Sequence, residues 1–195
     1  MATITLNPTQ SVYVNNGSKT TNYDDKDCLR VGVGSSTSIQ YHTLLEFPLE
    51  QVAGAVTSAT LRLYSYSDGC WQASVTQLVR QAVGEWDETA VTWNTKPDTD
   101  DTIQASKSVS GYDKWYEWDV TKLVQAQKAG DNFGLAVLQS GTTTSKAKCY
   151  KRTGTYAPQL VVEFVPLTFN GDDVLSLTFN GQAVTSLFFN ENKIF

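Results

Sequence analysis

The stretch ATLRLYSYS (residues 59–67) decides the fold, because apolar and polar residues alternate along it. Successive side chains of an extended chain point to opposite faces, so the two leucines share one face. The other face carries Arg62, Tyr64 and Tyr66. A period of two with one apolar face predicts a β-strand that buries its leucines in a core.

Similar alternation recurs in ATITLNPTQSVYVN, TLLEFPL, SVTQLV, GLAVLQ and QLVVEFV. Between these stretches lie clusters rich in Gly, Asn, Asp, Ser and Thr, such as NNGSKTTNYDD, VGVGSSTS and QSGTTTS, which are typical of turns. Many short strands separated by such turns predict an all-β fold, an antiparallel two-sheet sandwich of the jelly-roll type.

One segment, WDVTKLVQAQKAGDN, has the period of a helix instead. Asp119 or Thr121 can cap its start, and Gly130 can end it. We therefore expect one short helix, of about two to three turns, that closes an open side of the sandwich.

Composition limits the possible functions. The chain has 195 residues, which suits one sandwich domain with a small appendage. A net charge of −5, with no cluster of Lys and Arg, predicts that nucleic acid is not a partner. The sequence also shows no apolar run typical of an export signal or a membrane span, so we expect neither.

The three cysteines, Cys28, Cys70 and Cys149, lie far apart in sequence and show no CxxC spacing. We expect reduced thiols in a protein that is assembled in a cytosol. A bridge between Cys70 and Cys149 is the alternative.

The stretch GEWDETAVTWNTKP (residues 84–97) is the most specific pattern in the chain. Residue by residue, it predicts a strand that begins at Trp86 and carries Val91 and Trp93, followed by a turn. It also resembles the DNRLRE-type domain, a jelly roll related to carbohydrate-binding modules, in which W-x-E-x-x-V-T-W-N-x-x-P recurs. Further matches follow that family's order: CLRVG, TLLEFPL before SATLRLY, WDVTKLV before NFGLAVL, and APQLVVEF.

This resemblance spans roughly residues 5–165. It implies a jelly roll at residues 1–165, an ability to bind polysaccharide, and no catalytic activity. Trp86, Trp93 and Trp118 lie within the matching motifs and are therefore assigned to the core.

Aromatic side chains on the surface are the candidates for sugar binding, because sugars stack their apolar C–H faces on flat rings. The first candidate is Trp71, in the loop after an Asp-Gly turn, where core packing explains a tryptophan poorly. The second is the outward face formed by Tyr64, Tyr66 and Arg62. The alternative for this face is that its arginine packs over the rings of an ordinary outer sheet surface.

A third aromatic candidate lies in SGYDKWYEW, which contains Tyr112, Trp115 and Tyr116. All three side chains are expected at the surface, where they could extend a sugar-binding face.

Acidic residues in NYDDKD, namely Asp24, Asp25 and Asp27, could hold Ca²⁺, which takes several carboxylate oxygens from flexible loops. The alternative is a solvated turn, as for the second cluster PDTDDT. No other cofactor is expected.

Catalytic residues are not expected. His42 is the sole histidine, and its neighbours in sequence suggest neither a nucleophile nor a metal partner. Glu85, Asp87 and Glu88 flank a tryptophan assigned to the core, so a glycosidase pair is not predicted there.

The C-terminal segment, residues 166–195, repeats one pattern three times at an interval of ten residues: LTFNGDDV, LTFNGQAV and LFFNENKI. Asn-Gly is a strong signal for a two-residue hairpin turn, which pairs Phe169 with Asp172 in the first unit. The same turn pairs Leu167 with Val174 further out. Equivalent pairs are expected in the later units.

Such small hairpins are marginal alone, and their apolar residues need a partner surface. We expect them to form a homo-oligomer, with a trimer favoured, or to attach the chain to a larger assembly; folding back on the sandwich is the alternative. The apolar residues are Leu167, Phe169, Val174, Leu177, Phe179, Val184, Leu187, Phe189 and Ile194.

This tail resembles the Asn-Gly hairpin repeats that end many bacteriophage virion proteins. The resemblance predicts a non-enzymatic virion protein, displayed as a capsid decoration, head fibre or tail component and assembled in the bacterial cytoplasm. Its partners would be other virion proteins and polysaccharide. The alternative is a carbohydrate-binding module of a bacterial polysaccharide-degrading system.

Overall fold

The structure is a computed structural model that describes residues 1–34, 36–67, 74–144 and 148–167, and the backbone of six two-residue strands after them. Twelve strands of the described residues form the main domain. They are β1 (Ala2–Leu6), β2 (Gln10–Asn15), β3 (Cys28–Val33), β4 (Gln40–Glu46), β5 (Gly54–Ser65), β6 (Val75–Val83), β7 (Asp98–Thr99), β8 (Ala105–Val109), β9 (Lys114–Asp119), β10 (Leu135–Gln139), β11 (Lys148–Lys151) and β12 (Gln159–Pro166).

These strands pair antiparallel in two sheets that share β3. In sheet A, β12 lies between β1 and β5, β9 borders the other side of β5, and β11 joins the end of β5 to β3. In sheet B the order is β2, β4, β10, β6 and β8, and β7 pairs with the end of β6. Strand β3 crosses between the sheets where Gly32 and Val33 leave β11 and pair with β4.

The core lies between the two sheets and is built from alternate residues of each strand. Leu61 and Leu63 of β5 are fully buried, and Leu135 and Val137 of β10 approach them from sheet B. One polar link crosses this core, where the Tyr150 hydroxyl donates to an amide oxygen of sheet B at 2.6 Å. The predicted antiparallel β sandwich is confirmed.

The predicted helix is present as α1 (Thr121–Ala129) and buries Leu123 and Val124 in the same core. Its start is held by Asp119, whose carboxylate accepts the backbone N–H of Thr121 at 3.0 Å and its hydroxyl at 2.6 Å. It ends at Gly130, as predicted. Within the described residues, no helix is both long and apolar enough to cross a membrane.

A second apolar cluster lies on the outer face of sheet B and is covered by residues 84–97. The predicted strand in this segment is wrong: the segment forms successive turns. The side chain of Asp87 accepts the N–H and hydroxyl of Thr89, which bends the chain away from an extended path. Val91 is nevertheless buried. The indole N–H of Trp86 donates to the backbone carbonyl oxygen of Phe133, which lies shortly before β10, at 2.9 Å.

The prediction that the cysteines are reduced is wrong for Cys149, which is disulfide-bonded, whereas Cys28 is a free, buried thiol. The prediction relied on the distance between the cysteines along the chain, whereas the fold brings distant parts of the chain together. Tyr66, far from Cys149 in the chain, donates its backbone N–H to the Cys149 carbonyl at 3.2 Å. Cys70 lies outside the described residues.

The C-terminal segment contains three identical strand pairs, each of two residues per strand. They are β13 (Thr168–Phe169) with β14 (Asp172–Asp173), β15 (Thr178–Phe179) with β16 (Gln182–Ala183), and β17 (Phe188–Phe189) with β18 (Asn192–Lys193). The inner pairs match the prediction, with Phe169 opposite Asp172. Val174, Leu177, Val184, Leu187 and Ile194 lie outside the described residues, so the predicted outer pairs stay predictions.

Candidate functional site

A groove of about 340 Å³ lies on the outer face of sheet B. Outward-facing residues of three neighbouring strands form its apolar floor, because the alternate residues of these strands face the core. The floor consists of Leu44 of β4, Leu78 of β6, and Ala136 and Leu138 of β10. Polar residues line the sides, namely His42, Arg80, Lys96, Thr99, Gln139 and Ser140.

Arg80 supplies unused hydrogen-bonding capacity to this groove. Its side chain is 26% exposed, and its Nη1 atom lies 3.4 Å from a carboxylate oxygen of the fully exposed Asp101. Within the part of the chain that the structure describes, its buried Nε atom has no hydrogen-bond partner. The Nε atom is closed to solvent, so a ligand in the groove can reach only the exposed part of the guanidinium.

Lys96 places a second positive charge at the groove. Its Nζ atom lies 5.5 Å from the ring of Trp93, and no carboxylate of the described residues lies within ion-pair distance of it. His42 packs against the same tryptophan at 4.7 Å. Burial, together with the positive charges of Lys96 and Arg80, lowers the pKa of His42 to about 4, so this histidine is neutral at pH 7.

The groove therefore combines an apolar floor with two cations and an uncharged polar rim. A sugar ring is complementary to this arrangement, because its C–H face is apolar and its edge carries hydroxyl groups. A carboxylate on that ring would accept hydrogen bonds from Arg80 and pair with Lys96.

Sequence reasoning missed this groove because its residues come from four separate stretches. The sequence indicates no partner for His42 and assigns Trp93 to the core, whereas Trp93 is half-buried and contacts both His42 and Lys96. The available signal is Arg80, a cation that directly follows the predicted strand SVTQLV.

The predicted aromatic face on sheet A exists, but its rings largely contact one another. Tyr64 stacks on Tyr156 with centroids 4.1 Å apart and meets Trp115 edge-on at 5.5 Å. The Arg62 guanidinium covers the Trp115 ring at 4.6 Å, as the alternative interpretation expected of an ordinary outer surface. Tyr66 lies beyond this cluster, with the Lys151 ammonium 4.0 Å from its ring.

Tyr116 is not at the surface, so its assignment to an exposed aromatic face is wrong. It is 6% exposed and packs in the core, because the period of β9 turns Tyr116 and Trp118 inward and Trp115 outward. Tyr112 is 37% exposed, in the turn before β9. Trp71 lies outside the described residues.

Asp24 is bound to an arginine rather than directed towards an ion. Arg152 Nη2 lies 2.6 Å from its carboxylate, while Asp25 pairs with Lys26 at 2.7 Å. Neither Asp24, Asp25 and Asp27 nor any other set of three acidic, His or Cys side chains among the described residues is arranged to hold a metal ion. The calcium prediction thus receives no support from this geometry.

Residues near the tryptophan motif also have structural partners. Glu88 accepts the backbone N–H of Ser11 at 2.7 Å and contacts Arg152 at 3.2 Å. Asp87 accepts two hydrogen bonds from Thr89, which lower its pKa. Both carboxylates therefore hold loops together.

The family model of carbohydrate-binding module family 96 matches residues 2–164. The chain therefore belongs to that family, whose description names a binding module. This confirms the expected carbohydrate-binding-module-like domain, and the match ends before the C-terminal repeat. A comparison with curated proteins found no match.

Proposed function

We propose that this member of carbohydrate-binding module family 96 binds acidic polysaccharide in the sheet B groove without catalysing a reaction. The observation that carries the proposal is the pair of cations, Arg80 and Lys96, beside an apolar floor in this groove. Membership of a family of binding modules supports it.

Charge is the reason for favouring an acidic sugar. The ionisable residues that line the described groove are Arg80, Lys96 and the neutral His42, and no acidic side chain is among them. The whole chain carries a net charge of −5, which repels a polyanion at long range. Binding must therefore depend on close contact within the groove, and high salt should weaken it.

Affinity electrophoresis tests this proposal, with a panel of polyuronates in the gel and their methyl-esterified forms as neutral counterparts. The wild type should be retarded by at least one polyuronate and less by its ester. Arg80→Gln and Lys96→Gln should each weaken binding about tenfold or more, because a hydrogen bond to a charged group contributes about 1.5 to 3 kcal/mol.

Lys107→Gln is the matched control, because Lys107 is exposed on the edge strand β8 and does not line the groove. This variant should bind as the wild type does. Equal retardation of all four proteins, or no preference of the wild type for any polyuronate over its ester, would contradict the proposal.

We also propose a setting, the surface of a bacteriophage particle assembled in a bacterial cytoplasm, with residues 166–195 as the attachment or trimer-forming segment. The three identical strand pairs at ten-residue intervals support it. The alternative, a module of a bacterial polysaccharide-degrading system, is supported at least as well by the family. The disulfide at Cys149 suits either setting once the protein faces an oxidising medium.

The genes beside this one distinguish the two settings. Capsid or tail genes as neighbours would support the particle, whereas lyase or glycosidase genes would support the degradative system. Mass spectrometry of purified particles would then show directly whether the chain is a virion component.

A further inference from the structure

The outer face of sheet A carries an exposed aromatic surface, in which the ring of Tyr156 lies over the ring of Tyr64. Tyr156 is 44% exposed although one of its faces is stacked on Tyr64 at an interplanar angle of 24°. Its exposed area therefore lies on the side away from the sheet. Trp115 supports the stack edge-on, so the outermost ring rests on two others.

The backbone holds Tyr156 in this position. It ends a one-turn 3₁₀ helix (Gly154–Tyr156) between β11 and β12, where Gly154 adopts φ +74° and accepts the N–H of Ala157 at 3.0 Å. A ring preorganised in this way loses little conformational entropy on binding.

Polar groups beside the stack are already paired with one another. Arg62 donates to Glu117 at 3.0 Å and to Gln159 at 2.9 Å, so the charge of this arginine is already balanced by a carboxylate beside the stack. An uncharged pyranose ring is the ligand that such a surface fits, because its C–H face stacks on an aromatic ring while its hydroxyls reach the polar rim.

The two surfaces face opposite directions. Arg62 and Tyr64 project outward from β5, Arg80 projects outward from β6, and the buried leucines and valines of both strands fill the space between. A single extended polysaccharide strand cannot lie on both outer faces of a sandwich.

We propose that the module is bivalent: the Tyr156 surface binds a neutral sugar ring while the sheet B groove binds an acidic sugar, so one chain can bridge two polysaccharide strands. The Tyr156 half rests on the family and on ring geometry, and the bridging rests on the proposed function of the groove.

Binding is tested first with a panel of neutral polysaccharides, xylan, galactomannan and mixed-linkage β-glucan, in affinity electrophoresis. The wild type should be retarded by at least one of them, and Tyr156→Ala should weaken that binding about three- to tenfold. Tyr112→Ala, which removes another exposed tyrosine, should not change it. Tyr156→Phe, which keeps the ring, should retain binding, and Arg80→Gln should leave it intact.

Bridging is tested by immobilising the neutral polysaccharide that binds best and measuring capture of a fluorescent polyuronate. At a protein concentration below saturation the wild type should capture it, whereas Tyr156→Ala, Arg80→Gln and a mixture of these two separately purified proteins should each capture at least about threefold less. Bivalency would be overturned if the wild type bound no neutral polysaccharide, if Tyr156→Ala bound as the wild type does, or if either variant captured as much polyuronate as the wild type. If polyuronate binding persists in those cases, the proposed function of the groove stands; if it is also absent, both proposals fail.

Discussion

Arg152 Nη2 and Glu88 Oε2 lie 3.2 Å apart, although 64 residues separate them in the chain. The same guanidinium contacts the carboxylate and the backbone carbonyl of Asp24, and its Nε donates to the Ser11 hydroxyl at 3.2 Å. With a side chain 11% exposed, Arg152 joins β2 of sheet B to the loop before β3 and to residues 84–97.

Replacing this arginine should destabilise the domain. Arg152→Ala leaves two partly buried carboxylates without a cation, and we expect a loss of about 2 to 4 kcal/mol in the free energy of unfolding. Arg152→Lys should recover little, because an ammonium cannot reproduce the guanidinium's planar set of donors. Lys26→Ala, which breaks an exposed ion pair, is the control for urea denaturation. A stability of Arg152→Ala equal to the control's would show that the network contributes nothing.

Gly134 and Gly141 form a matched pair for testing steric restriction. Both have positive φ, +78° and +77°, but an added Cβ would lie 2.2 Å from the Leu45 carbonyl oxygen at Gly134 and would contact nothing within 4 Å at Gly141. Gly141→Ala should cost about 1 to 2 kcal/mol from backbone strain alone. Gly134→Ala should cost at least about 2 kcal/mol more, because β10 must shift away from β4. Similar melting temperatures for the two variants would contradict this packing.

His42 should make stability depend on pH below neutrality. Its pKa is lowered from 6.5 to about 4, so the unfolded chain binds a proton that the folded chain excludes between these values. This contribution is complete above pH 6.5 and is lost as pH falls towards 4. Between pH 7.5 and 4.5, the wild type should lose on the order of 2 kcal/mol more stability than His42→Gln, in which carboxylates still titrate. If urea titrations showed that the wild type and His42→Gln lose the same stability over this pH range, His42 would not be held neutral by its surroundings.

The C-terminal repeat should control association. The full chain is expected to be a trimer, and a chain that ends at residue 166 a folded monomer, because the sandwich has its own core. Light scattering and thermal unfolding of both forms measure this. Monomers of equal stability would show that the repeat is an extension without an assembly role.

The sequence predicted the sandwich well, because segments such as residues 59–65 of β5 keep a period of two with one face in the core. The strand predicted at residues 84–97 is wrong, because buried Val91 and half-buried Trp93 have the spacing of a strand although the segment forms turns. There, the side chain of Asp87 stabilises a turn in competition with an extended strand. The pattern of apolar residues along the chain contains no information about this hydrogen bond.

The candidate sites were harder to predict than the fold. Outward residues of β5 were identified, but Tyr156, which completes their stack, comes from a one-turn helix with no periodic signal. The groove depends on Arg80 and Lys96, which become neighbours only through the lateral order of sheet B. That order is a non-local property, and a period along one strand contains no information about it.

The position of β12 between β1 and β5 has a consequence for synthesis of the chain. Ala2 pairs with Phe164, so the first strand of this domain has to wait for the last strand of the same domain to be synthesised. Until then β1 lacks its ladder and β5 has an open edge along Ala55–Arg62. The nascent sandwich is therefore exposed to edge-to-edge aggregation for most of its translation, and any truncation that removes β12 makes that exposure permanent.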